Sequence, residues 1–318
     1  MADFTTPADG VYPDISEHDY HSDRGSLSST GAKLLLRSPA KFRWEQDNPR
    51  KPKKEYDFGH VAHELLLGKG SGIFVLDPEK HGLNKDGSLS KAPANTSLWK
   101  ETAEAARARG EVPVSKDVFD DALRMVEAVR RDPVAGSLFT DGDAELSAYA
   151  TDPVTGVRVR CRFDWKVGRP AGFITIVDLK TTQDAEPSEF ERLAAKFGYC
   201  LAAAWYSWIA SVVFGVPIGR VRFLLVAVEK EPPYLVSVTE WDDDDLEVGL
   251  AMRRDAIDLF HECTTTNTWD SWRGHDPTKV HTIHLPAWMK PNGPTVGDFT
   301  QDAYLYDTDP LEEEDFPA

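Results

Sequence analysis

The chain has 318 residues, 41% hydrophobic and 28% charged, proportions that exclude wholesale disorder, a small disulfide-stapled scaffold and a membrane-embedded body. Lys and Arg number 36 against 53 Asp and Glu, a net charge of -17; this opposes nucleic-acid binding through a broad basic surface but leaves room for a local basic channel in which divalent metal offsets phosphate and carboxylate alike. The three cysteines, Cys161, Cys200 and Cys263, are far apart and form no CxxC, so neither a four-cysteine zinc site nor an iron–sulfur cluster is expected.

The opening MADFTTPADG lacks the basic-then-apolar order of a secretory signal and no apolar run is long enough to span a bilayer, which makes the cytoplasm the expected compartment and a membrane an unexpected partner. Residues 1–25 read as a flexible arm with a short ordered stretch over Val11–Tyr20, followed by one domain over 26–299 and an acidic, disordered tail over 300–318. Within the domain, 26–132 reads as helical. Ser28–Thr30 supply N-caps for a helix through Lys33–Arg37, and Pro39 opens a second through Phe42 and Trp44. A basic cluster (Lys51, Lys53, Lys54) precedes a helix from Asp57 to Leu67, stopped by Gly68, with His60 and His63 on neighbouring positions. Asp77–Lys100 is polar and turn-rich and reads as a loop; Glu101–Arg109 and Lys116–Arg131 read as helices.

From 143 to 263 the texture becomes that of a catalytic core. AELSAYATDP, VRVRCRFDWKVG and AGFITIVDLKTT are apolar or alternating runs separated by DPVTG and GRPAG turns, the signature of a three-stranded meander. One long apolar helix is expected over Ser188–Phe214, then a hairpin about Glu231-Pro232-Pro233 and a helix over Asp242–Cys263. A short strand is expected at Val280–Leu285. This order specifies an α/β domain with a mixed central sheet flanked by helices.

The chemistry is concentrated in CRFDW and IVDLKTT. Asp178 and Lys180 are two apart in a strand and share a face, and burying them beside FITIV is costly unless they pair or serve a site. Asp164, on the preceding strand, brings a second carboxylate. Two carboxylates and a backbone carbonyl, here that of Leu179, suit the oxygen preference of Mg²⁺; His63 could complete the shell and make Mn²⁺ equally acceptable. Lys180 would then hold or deprotonate a water, or neutralise charge at a phosphate, in phosphodiester hydrolysis. Taken singly, D-x-K on a strand is also what a surface ion pair looks like, and His63 is also what a satisfied core histidine looks like.

The order of these elements resembles the PD-(D/E)XK nuclease superfamily, specifically RecB-like exonucleases and, among them, phage RecE (exonuclease VIII)-like proteins. SSTGAKLLLRSPAKFRW is similar to the family's N-terminal helices, FGHVAHELLLG to its histidine motif, RFDW and TIVDLKTT to its acid-bearing strands, GYCLAAAWY to its following helix and WRGHDPTKVHTIHLPAW to its closing segment. The resemblance implies that His63, Asp164 and Asp178 bind metal, that Lys180 is catalytic, and that Glu145 occupies a frequently acidic position. It also implies 5′ to 3′ resection of double-stranded DNA ends, a single-strand annealing recombinase as partner and a ring-like homo-oligomer. Where relatives carry Gln-x-x-x-Tyr on the long helix, this chain has Ala202 and Tyr206.

Basic candidates for DNA contact are Lys33, Arg37, Lys41, Arg43, Lys51, Lys53 and Lys54, with Arg158, Arg160 and Arg162 on the strand before the site; Tyr199 and Tyr206 are further candidates. Beside the exonuclease, the residues leave open a catalytically weak DNA-end-binding module and a flap or structure-specific endonuclease.

Overall fold

The computed structural model describes residues 4–48, 58–168, 172–274, 276 and 278–285. The chain divides into two units, one ending at Thr268 and one beginning at Trp269. In the second unit the described residues form a turn and extended chain without regular elements, so the strand expected at Val280–Leu285 does not form.

In the first unit the chain runs β1 (Gly10–Tyr12), α1 (Glu17–Ser22), β2 (Leu27–Ser28), α2 (Ser29–Arg37), α3 (Pro39–Asp47), α4 (Phe58–Leu67), β3 (Ile73–Leu76), α5 (Pro78–His81), α6 (Ser97–Ala108), β4 (Val112–Ser115), α7 (Lys116–Arg131) and α8 (Ala135–Leu138). The core follows as β5 (Gly142–Thr151), β6 (Arg158–Val167), β7 (Ile174–Thr182), α9 (Pro187–Lys196), α10 (Tyr199–Phe214), β8 (Val221–Glu229), β9 (Val236–Thr239) and α11 (Asp243–Thr266). The expected caps are in place. Ser28 Oγ accepts the Gly31 N–H at the start of α2, and Ser38 Oγ accepts from Lys41 while Pro39 takes the first position of α3.

The main sheet has the order β1-β5-β6-β7-β8-β9, with β2 added alongside β6. β5, β6 and β7 form the antiparallel meander; β7 and β8 are parallel, joined by the α9–α10 crossover, and β8–β9 is the hairpin. This is the mixed sheet flanked by helices that the element order predicts. A continuous core joins Val61 and Leu66 of α4, Met125 and Val129 of α7, and Trp165, Val177, Leu179 and Val226 of the sheet.

Several expectations change. The crossover is two helices bent by 78°: Gly198 lies at φ 64°, a left-handed conformation that ends α9 and starts α10. The apolar face continues through the break, so periodicity cannot register it. A two-stranded parallel sheet of β3 and β4 was not anticipated, and α5 and the first turn of α6 occupy the stretch read as a loop.

The arm expected over 1–25 is folded where it is described. β1 pairs antiparallel with β5. The Asp9 carboxylate accepts the Thr151 N–H and hydroxyl and pairs with Arg158; Ser16 caps α1, and Tyr20 and Asp23 are buried. The partners of Asp9 and the cations against Tyr20 and Asp23 lie 130 or more residues downstream, which is why local sequence shows only polarity. The acidic tail at 300–318 lies outside the described residues. Among the described residues no single helix is long and apolar enough to cross a membrane.

Candidate metal centre

The site forms where the sheet loses its ladder. In the β5–β6 pair Ala144 faces Trp165 and Leu146 faces Phe163, which puts Glu145 opposite Asp164; that rung is missing, and Glu145 has a φ of 54°. On the other side of β6 the ladder with β7 stops at Trp165–Val177, one step short of Asp164 and Asp178. Asp164 therefore stands level with an acid on each neighbouring strand. Its Oδ2 accepts the Leu179 N–H at 3.0 Å, which satisfies a β7 donor that β6 would otherwise pair.

Helix α4 supplies the histidine. Gly59 lies so close to β7 that a Cβ there would stand 2.7 Å from Thr181 Oγ1, and this approach carries the next turn of α4 over the missing rung. His63 Nε2 is 3.3 Å from Asp164 Oδ2, and Nδ1 is 3.5 Å from Glu145 Oε1. His63, Glu145 and Asp164 can each offer a donor atom within 4.8 Å of the others. Asp178 stands apart from that group: its carboxylate pairs with Lys180 Nζ at 2.6 Å. The Tyr199 ring lies beneath this pair, with Lys180 Nζ 5.4 Å and Lys33 Nζ 5.3 Å from its centroid.

Burial sets the electrostatics. Desolvation, reinforced by the Asp164 charge, raises the Glu145 carboxyl to about 7, against the pull of His63 and Arg162. Desolvation would also raise Asp164, but His63, Lys180 and the Leu179 N–H outweigh it and hold Asp164 below the usual carboxylate range. For His63, burial works against the charged form, yet Asp164 and Glu145 raise its pKa. Burial opposes the charged form of Lys180 as well; Asp178 and Asp164 overcome it and hold the lysine as an ammonium. That outcome requires an ionised Asp178 at 2.6 Å, even though burial and Asp164 push Asp178 itself upward. Lys180 in this arrangement is a donor and a positive charge.

The remaining expected DNA contacts divide. Arg160 is 5% exposed; it donates to the Ser26 carbonyl and hydroxyl, stands 3.7 Å from Asp23 and lies over Tyr20, so it belongs to the interior and not to a DNA-facing surface. Arg162 is held by Ser147 Oγ and by the carbonyls of Ile15 and Ser16, and its guanidinium lies 3.9 Å from Glu145. Tyr206 packs edge-on against Phe163 and Phe223, and burial pushes its hydroxyl up; it too is a packing residue. Tyr199 is at the site. Lys51, Lys53 and Lys54 lie outside the described residues. Lys33 was one basic candidate among many; only the approach of α2 to the start of α10 distinguishes it.

With this geometry in view, a family profile described as a PDDEXK-like domain of unknown function (DUF3799) matches residues 28–275. The fold is similar to the crystal structure of a candidate exonuclease from Eubacterium rectale, at 13% identity and a TM-score of 0.51 over 86% of this chain and 96% of that one. A second solved structure, SSO0001, is 12% identical with a TM-score of 0.31 over 74% of this chain and 77% of its own. No curated protein gives a significant match.

Proposed function

This chain belongs to the PDDEXK-like family DUF3799, within the PD-(D/E)XK nuclease superfamily, and from that premise we propose that it is a Mg²⁺- or Mn²⁺-dependent exonuclease that resects the ends of linear double-stranded DNA. The observation that carries the reading is the convergence of His63, Glu145 and Asp164 next to the Asp178–Lys180 pair. One imidazole and two carboxylates form a donor set suited to Mn²⁺ as well as Mg²⁺. His63, Glu145 and Asp164 would hold the ion, with Asp178 and the Leu179 carbonyl as further oxygens at the same level of the sheet. When bound, a divalent cation polarises a phosphoryl oxygen and acidifies water. Lys180, kept protonated by Asp178, donates to the attacking water or to a phosphate oxygen and offsets the charge that builds there. Asp164 also fixes the opening between β6 and β7 through Leu179, so one side chain sets both charge and shape.

The 5′ to 3′ direction, a phage-type recombination role with an annealing protein, and a ring-like homo-oligomer are supported by the RecE-like sequence resemblance alone. Digestion of a linear duplex labelled at one 5′ end, with Mg²⁺, Mn²⁺ or chelator, tests the reading. Wild type is expected to release labelled small products, and chelator, Asp178→Ala and Lys180→Ala each to stop release. A covalently closed circle is expected to survive; nicking or linearisation of it would replace the exonuclease with an endonuclease of the same fold.

A further inference from the structure

The nuclease reading leaves one cation at the site unused. Lys180 has its carboxylate, Asp178, at 2.6 Å. Lys33, which shares the Tyr199 ring with it, makes no ion pair and no hydrogen bond among the described residues, only the cation–π contact. Its half-buried side chain comes from α2, and its stem runs along Gly198: a Cβ there would meet Lys33 Cδ at 3.4 Å and Cγ at 3.7 Å. The left-handed glycine thus turns the crossover, and the lysine stem passes it at ordinary contact distance on the way to the ring. Burial first, and the neighbouring Lys180 charge second, lower its pKa to about 8 against the pull of the Asp178 charge, so a second positive charge is held beside Lys180 at some cost. An ammonium removed from water without a carboxylate in direct contact is costly unless something else completes it.

Resting on the proposed nuclease activity, the geometry points to Lys33 as a substrate-binding residue that takes a backbone phosphate of the DNA strand next to the one attacked at the metal centre. The site would then be divided in two. Two acids and a histidine gather metal on the β5–β6 side; two lysines about one tyrosine ring receive phosphate on the α10 side. Tyr199 keeps the two ammonium groups apart while lowering the cost of each through its ring face. Because Lys33 makes neither an ion pair nor a hydrogen bond to the acids and meets the site through the Tyr199 ring, its role is to position the strand and not to move a proton.

Duplex binding to Asp178→Asn protein, which retains both lysines, measures this by fluorescence anisotropy from 50 to 300 mM salt, with and without Lys33→Gln or Lys33→Arg. One phosphate contact contributes about 0.9 to the slope of log affinity against log salt. Lys33→Gln is expected to reduce the slope by about that amount and weaken binding about fivefold near 0.15 M salt; Lys33→Arg is expected to restore the slope. In otherwise wild-type protein, Lys33→Gln is expected to raise KM for duplex with kcat within about threefold and Mn²⁺ affinity unchanged. An unchanged slope in a Lys33→Gln protein with an unaltered melting temperature overturns the assignment and leaves the nuclease reading standing. A wild-type protein that neither binds nor cuts duplex overturns both.

Discussion

The Asp164 carboxylate accepts the Leu179 N–H at 3.0 Å across the gap that opens between β6 and β7 beyond the Trp165–Val177 pair. One side chain therefore has a structural duty, met by its oxygen, and an electrostatic one, met by its charge. Asp164→Asn keeps an oxygen acceptor and loses the charge. Its melting temperature is expected to stay close to wild type while calorimetric Mn²⁺ affinity falls about a hundredfold or more. Asp164→Ala also orphans the Leu179 N–H and is expected to cost about 1–2 kcal/mol in stability. Equal stability losses in the two variants would break this division of labour.

Glu145 makes the metal-free protein sensitive to pH. A carboxyl raised to about 7 by burial and Asp164 binds its proton more tightly folded than unfolded. Stability is therefore fullest below the unfolded value of about 4.5 and declines as pH rises through about 7. Without metal, Glu145→Gln is expected to be more stable than wild type at pH 8, by about 2 kcal/mol, and nearly equal at pH 4.5. Saturating Mn²⁺ reverses the order at pH 8. Below pH 7 a proton competes with the ion, so apparent Mn²⁺ affinity of wild type is expected to fall steadily as pH drops.

Gly59 governs how near α4 comes to β7. A Cβ at 2.7 Å from Thr181 Oγ1 forces the helix outward or Thr181 aside, and His63 rides on the next turn. Gly59→Ala is expected to lower Mn²⁺ affinity about tenfold. Adding Thr181→Ala, which removes the obstructing hydroxyl, is expected to recover most of it, a coupling that a double-mutant cycle reads directly.

Arg160 serves the fold. Its guanidinium sits within 3.7 Å of a wholly buried Asp23, and Arg160→Ala leaves that acid without its cation. A loss of about 3 kcal/mol is expected in denaturant unfolding, with the salt dependence of DNA binding unchanged. A reduced salt slope at full stability would return Arg160 to the DNA surface.

What the sequence reveals of this molecule follows the range over which each interaction acts. The meander is legible because β-branched runs alternate with DPVTG and GRPAG within forty residues, and D-x-K is legible because parity puts two charges on one face of an apolar strand. His63 is legible through its motif. The alignment of Glu145, Asp164 and Asp178 across three strands is not, since it depends on the register of two ladders. Arg160 reads as a surface cation because its acid is 137 positions away, and Lys33 reads as one lysine among many because Gly198 and Tyr199 reach it only after the crossover bends. The break at Gly198 hides for the opposite reason: an apolar face runs up to it in α9 and on from it in α10.

The three residues of β1 have a consequence for solubility. They cover the outer side of β5, where Ala148 and Ala150 are fully buried, while the opposite border of the sheet is the four-residue β9. Both borders are thus too short to recruit a neighbour's strand. Removing the first dozen residues would bare a ten-residue strand rich in small side chains, an open template for aggregation.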